Sequence, residues 1–85
     1  MMINSEHVVT DGIGTQRHFT NGVLHRDNGP AVECSNGDKY WYLNGKLHRV
    51  DGPAYLEADG TCGFYDHGQL ITCGHMIDGV FNQVN

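Results

Sequence analysis

Proline and cysteine are scarce in this 85-residue chain, basic residues are few, and no long apolar run occurs. Each shortage removes a class of protein. The three cysteines, Cys34, Cys62 and Cys73, are odd in number and lack a Cys-x-x-Cys pair, so a disulfide framework is not expected. No stretch approaches the roughly 20 apolar residues of a membrane helix. Met1 to Thr10 has neither a basic start nor an apolar run, so no signal peptide is expected and a reducing cytoplasm is the simplest setting. Five basic residues stand against ten acidic ones, for a net charge of −5. That balance disfavours direct binding of nucleic acid through its phosphates and offers no basic face to anionic lipid. It suits a basic partner protein. A P-loop, a Gly-x-Ser-x-Gly elbow and a paired-carboxylate pattern are all missing. The expectation is a protein that is not an enzyme and uses no cofactor.

Glycine, by contrast, is abundant at 12 residues, much of it in Asn-Gly and Asp-Gly pairs, which signal tight turns. Those pairs belong to an internal repeat. The segment Asn21-Gly22-Val23-Leu24-His25-Arg26 with Gly29-Pro30-Ala31 returns as Asn44-Gly45-Lys46-Leu47-His48-Arg49 with Gly52-Pro53-Ala54. The offset is 23 residues without a gap, and it also relates Gly14 to Gly37 to Gly60, Phe19 to Tyr42 to Tyr65, and Trp41 to Phe64. One domain over 1–85 is expected: a divergent cap or partial repeat in 1–20, repeats over 21–43 and 44–66, and a decayed copy with a C-terminal cap in 67–85. Terminal repeats have one neighbour and depart from the pattern.

Each Asn44-Gly45-type pair supplies the two positive φ values of a type I′ hairpin. Counting outward sets Phe19 opposite Leu24, His18 opposite His25, Tyr42 opposite Leu47, Trp41 opposite His48, Tyr40 opposite Arg49, Tyr65 opposite Leu70 and Phe64 opposite Ile71. If Asn36-Gly37 and Asp59-Gly60 close hairpins the same way, Ala31 faces Tyr42 and Ala54 faces Tyr65. Trp41, Tyr55, Phe64 and Val32 then share one face, and Tyr42, Tyr65, Leu24 and Leu47 the other. Gly29-Pro30 and Gly52-Pro53 interrupt the ladder, because proline donates no hydrogen bond, and a bulge or corner is expected there. No segment carries a 3.6-residue period. The predicted fold is all-β: an antiparallel meander of repeated hairpins with roughly seven or eight short strands and no substantial helix.

The motif Tyr42-x-Asn44-Gly45-x-Leu47 with Gly52-Pro53-Ala54, at this period, resembles the membrane occupation and recognition nexus (MORN) repeat, most closely the divergent bacterial and viral variants. The resemblance covers about residues 14 to 74. Gly-Pro-Ala stands where the standard repeat has its second Gly-x-Gly, and His-Arg is added before it. The resemblance implies an open array of hairpins that serves as a contact surface.

An open sheet without helices has two faces to cover, and aromatic and arginine side chains are what interface hot spots contain. The candidate binding residues are His25, Arg26, Trp41, His48, Arg49, Tyr55 and Phe64. The expected function is non-catalytic protein binding, as a small phage- or virus-encoded inhibitor or adaptor acting on a host protein in the host cytoplasm. One alternative is a sequestering binder of a small phosphorylated or anionic ligand, because arginine forks suit phosphate. Another is a self-associating repeat unit, for which a homodimer is the simplest form. A structural role for the same residues competes with all three: histidine packing on the cross-strand aromatic ring, and arginine pairing with Glu33, Glu57 or Asp51. The His18/His25 pair, with His48 or Cys34 as a third donor, falls short of a zinc ligand set, so no metal site is assigned.

Overall fold

The computed structural model describes residues 5–84, and every described element is a strand. In chain order these are β1 (Glu6–Thr10), β2 (Gln16–Thr20), β3 (Val23–Leu24), β4 (Val32–Glu33), β5 (Lys39–Tyr40), β6 (Tyr42–Leu43), β7 (Lys46–Leu47), β8 (Tyr55–Leu56), β9 (Thr61–Asp66), β10 (Gln69–Ile77) and β11 (Val80–Gln83). All pairings are antiparallel. Several short strands are halves of one. Both β3 and β4 lie against β2, the first at Phe19–Thr20 and the second at Gln16–Arg17. Likewise β7 pairs β6 and β8 pairs β5, while only Trp41 separates β5 from β6. The described residues therefore fill eight strand positions in a meander, with β6 and β7 forming a two-stranded ladder of their own beside the nine-stranded sheet, and they make a slab of 46 × 29 × 16 Å.

Two turn types recur along this ribbon. At Asn21-Gly22, Asn44-Gly45, His67-Gly68 and Asp78-Gly79 both residues have positive φ, from 47° to 52° at the first and 78° to 88° at the second. These are the type I′ turns that the dipeptides predict, and they fix Phe19 opposite Leu24, Tyr42 opposite Leu47 and Tyr65 opposite Leu70. The backbone of His25 donates to His18, and that of His48 to Trp41, both at 3.0 Å, so these pairs also meet as predicted. Asp78-Gly79, which the repeat does not reach, closes the C-terminal hairpin in the same way.

The other turns are longer by one residue than counting from the dipeptide suggests. Cys34 N–H donates to Asp38 O at 2.8 Å and Gly37 N–H to Cys34 O at 3.0 Å, so Ser35, Asn36 and Gly37 form a three-residue loop with Gly37 left-handed at φ 101°. The same bonds recur at Glu57–Thr61, with Gly60 at φ 94°, and at Asp11–Thr15, with Gly14 at φ 90°. Val32 consequently pairs with Tyr40, and Tyr55 with Gly63. Ala31 and Ala54 do not face Tyr42 and Tyr65, and Tyr55 and Val32 leave the face of Trp41 and Phe64. A one-residue slip moves a whole strand to the other face. Two further pairs are corrected. A bulge after Leu70 sets Phe64 opposite Thr72 rather than Ile71, and Tyr40 meets Val32 and Tyr55 rather than Arg49.

The predicted interruptions at Gly-Pro are loops. After His25, and again after His48, the chain leaves the ladder and returns at Ala31 and Ala54. The repeats are stitched by equivalent bonds: Gly45 N–H to Leu24 O and Gly68 N–H to Leu47 O, both at 2.8 Å, and His18 N–H to Ala31 O and Trp41 N–H to Ala54 O, at 2.7 and 2.6 Å. Ala31, Ala54 and Cys62 have no exposed surface, and Val32 has little. A core this thin lends only modest hydrophobic stabilisation, so the repeated hydrogen bonds, each worth about 0.5–1.5 kcal/mol net, carry an unusual share.

Candidate functional site

The loops after His25 and His48 hold themselves together, and arginine is their organiser. Arg26 Nη1 donates to Pro30 O at 3.2 Å and to Glu33 Oε1 at 2.7 Å. Arg49 repeats the inward bond, Nη1 to Pro53 O at 3.3 Å, but its Nε donates to Asp51 Oδ1 at 3.1 Å. Its guanidinium also lies 3.9 Å from the centre of the Trp41 ring, a cation–π contact. Gly29 and Gly52 allow this curl: a Cβ on Gly52 would stand 2.9 Å from Arg49 Cζ. Glu33 and Asp51 are thus arginine partners as expected, whereas Glu57 accepts from Tyr40 Oη at 3.3 Å.

Histidine clips one repeat to the next. His25 Nδ1 accepts the N–H of Asn44 at 2.9 Å, and its Nε2 meets Asp27 Oδ1 at 2.9 Å. An accepting Nδ1 places the proton on Nε2, so the ring is the neutral tautomer donating to Asp27. His48 Nδ1 accepts the N–H of His67 at 3.0 Å, one repeat on. Both rings grip the first residue of the following type I′ turn.

Between the two loops runs an open groove of about 660 Å³. Its floor is Trp41, Tyr42 and Leu43, one wall begins at Arg26, and the other runs from His48 to Asp51. Val50, 90% exposed, projects at the lip. The side chains of Asp27 and Asp51, 73% and 85% exposed, flank it on the two loops. A smaller groove of about 330 Å³ repeats the pattern one copy earlier, over His18, Phe19 and Thr20, with His25 and Arg26 in its wall.

Of the seven candidate residues, Arg26, Trp41, His48 and Arg49 line the larger groove, and His25 lines the smaller one. Tyr55 and Phe64 line neither. Tyr55 stands in a ladder of rings, 6.2 Å from Tyr40 and 6.1 Å from Tyr65. Burial, and then the nearby Glu57 carboxylate, push the Tyr40 hydroxyl up to about 12, while burial raises that of Tyr55. Phe64 packs edge-on against Phe81 at 4.9 Å. Sequence reasoning missed the groove's exposed lip, Asp27, Val50 and Asp51, because the repeat varies at those positions. All three cysteines are free thiols, and burial raises that of Cys62, which disfavours its nucleophilic thiolate form.

His18 and His25, paired across the strand, are not the histidines that gather with further donors. Those are His48 and His67, with Asp66. The rings of His48 and His67 lie 4.1 Å apart, Asp66 Oδ1 is 2.5 Å from His67 Nδ1, and it is 3.4 Å from His48 Nδ1. Asp66 and His67 replace the Leu43 and Asn44 of the preceding copy, a departure legible in the sequence but without meaning until His48 is placed beside them. No protein-family model matches the chain, and no curated protein or solved structure matches it either.

Proposed function

We propose that the protein is a non-catalytic binding module whose groove between the two Gly-Pro loops receives a segment of a partner protein with basic flanking residues. The observation that carries this reading is the make-up of the groove. It has a floor in which Trp41 lies under Arg49, a protruding Val50, and an exposed carboxylate on each lip. Tryptophan and arginine head the residue types that dominate interface energies. The lip carboxylates and the net charge of −5 complement a basic partner and speed its approach. The resemblance to MORN-like repeats, whose hairpin arrays serve as contact surfaces, agrees with this role and suggests an inhibitor or adaptor of viral or phage origin. An anion-sequestering role draws less support, since Arg26 and Arg49 direct hydrogen bonds into their own loops and, for Arg26, to Glu33 on β4.

Val50→Asp combined with Asp51→Lys tests the reading at the lip, the second change also removing the Asp51 partner of Arg49 Nε. Losing an exposed ion pair of this kind costs about 0.2–1 kcal/mol. The unaltered chain, immobilised in extract of its native cells, should retain a basic protein at one-to-one stoichiometry, and the double variant should release it while melting at nearly the same temperature. Capture of no protein, or capture indifferent to the double variant, refutes the assignment.

A further inference from the structure

We propose that His48, Asp66 and His67 form a divalent transition-metal site, with zinc the best-matched ion. The repeat supplies its own control. In the preceding copy the corresponding residues are His25, Leu43 and Asn44, and there the histidine holds only the Asn44 amide and Asp27. The next copy keeps the histidine and its bond to the turn amide, but exchanges leucine for Asp66 and asparagine for His67. Neither exchange is needed to close the hairpin. Asn-Gly is the preferred type I′ pair, and Leu43 closes the equivalent strand without a carboxylate. Together they bring two imidazoles and a carboxylate to one spot, with one donor atom from each residue within 4.8 Å of the other two.

A zinc ion bound at about 2.0–2.2 Å to each ligand needs donors roughly 3.4 Å apart. Asp66 and His67 are largely exposed and free to adjust by that amount, and the mostly buried His48 supplies its single free lone pair to the ion by releasing the His67 N–H that it otherwise accepts. Two nitrogens and one carboxylate oxygen suit Zn²⁺, Ni²⁺ or Cu²⁺ over Mg²⁺ or Ca²⁺, which prefer all-oxygen shells. Three protein ligands on an open surface leave a fourth position for water or for a donor from another molecule. The site shares His48 with the wall of the groove but none of its lip residues, and neither proposal depends on the other.

The test is calorimetric titration of the metal-free full chain with ZnCl₂, alongside ¹⁵N spectra that follow the ring nitrogens of individual histidines. One equivalent should bind, the rings of His48 and His67 should shift together, and the melting temperature should rise. His67→Asn restores the turn residue present at positions 21 and 44, so it should fold as well as the parent while binding zinc about tenfold or more less tightly. Asp66→Leu should behave likewise, and His75→Asn should leave binding unchanged. Absence of a one-equivalent step overturns the site, as does a step that survives His67→Asn or shifts other histidines instead.

Discussion

At position 63 any side chain would run into the ring of Tyr55, directly opposite, and would crowd Tyr65 as well. The glycine lets the Tyr40–Tyr55–Tyr65 ladder close over the strand, and the structural duty of Tyr55 follows from it. His18 shows a different constraint. It occupies the position that holds Trp41 and Phe64 in later copies, and its Nε2 is buried without a partner. Burial first, and the Arg26 charge second, hold it below the ordinary 6.5, with Glu33 opposing. The unfolded chain therefore takes up the proton more readily than the folded one. Stability is full above about pH 6.5 and declines as pH falls through the lowered folded value. Urea denaturation should show a lower midpoint at pH 5 than at pH 7.5. His18→Phe, the type of residue the later copies carry, should flatten that slope, and an unchanged slope would assign the effect elsewhere.

Among the elements, the three-residue turns set the register of the sheet. Asn36-Gly37 has the same composition as Asn44-Gly45, yet only the glycine is left-handed. Asn36 instead uses its side chain, accepting the Asp38 N–H at 3.0 Å, as Asp59 accepts that of Thr61 at 2.9 Å. That local bond selects the longer turn, and the dipeptide alone does not reveal it. Gly37 and Gly60 hold equivalent positions with similar φ, but a Cβ at 37 would meet Ala58 at an ordinary 3.5 Å, whereas one at 60 would press on the Met76 carbonyl at 2.6 Å. Gly37→Ala should cost about 1–2 kcal/mol for the left-handed backbone alone. Gly60→Ala should cost about 1–3 kcal/mol more, because a backbone carbonyl has to move. Equal losses in chemical denaturation would show that the close approach at Gly60 relaxes freely.

Over the whole molecule, one ribbon bears a single line of buried alanines and ends in two edges. Among the described residues β1 pairs only with β2, and all five of its residues are exposed, while β11 pairs only with β10. Ala31, Ala54 and Cys62 lie on the inner positions. Amide exchange should therefore be fastest in β1 and β11 and slowest at Trp41, Ala54 and Leu56, with protection falling outward from the middle of the ribbon. Uniform protection across all eight positions would mean that the ends are covered by another molecule.

The 23-residue recurrence and the Asn-Gly pairs were enough to determine an all-β meander, its type I′ turns and the pairing of Phe19, Tyr42 and Tyr65 with their leucines, because φ, strand twist and turn length are local properties. Which face Tyr55 occupies, which way Arg26 and Arg49 bend, and that His48 meets Asp66 and His67 were decided only by the tertiary structure. A turn one residue longer inverts a strand, and donors separated by about 20 residues along the chain become neighbours only when successive copies stack in register.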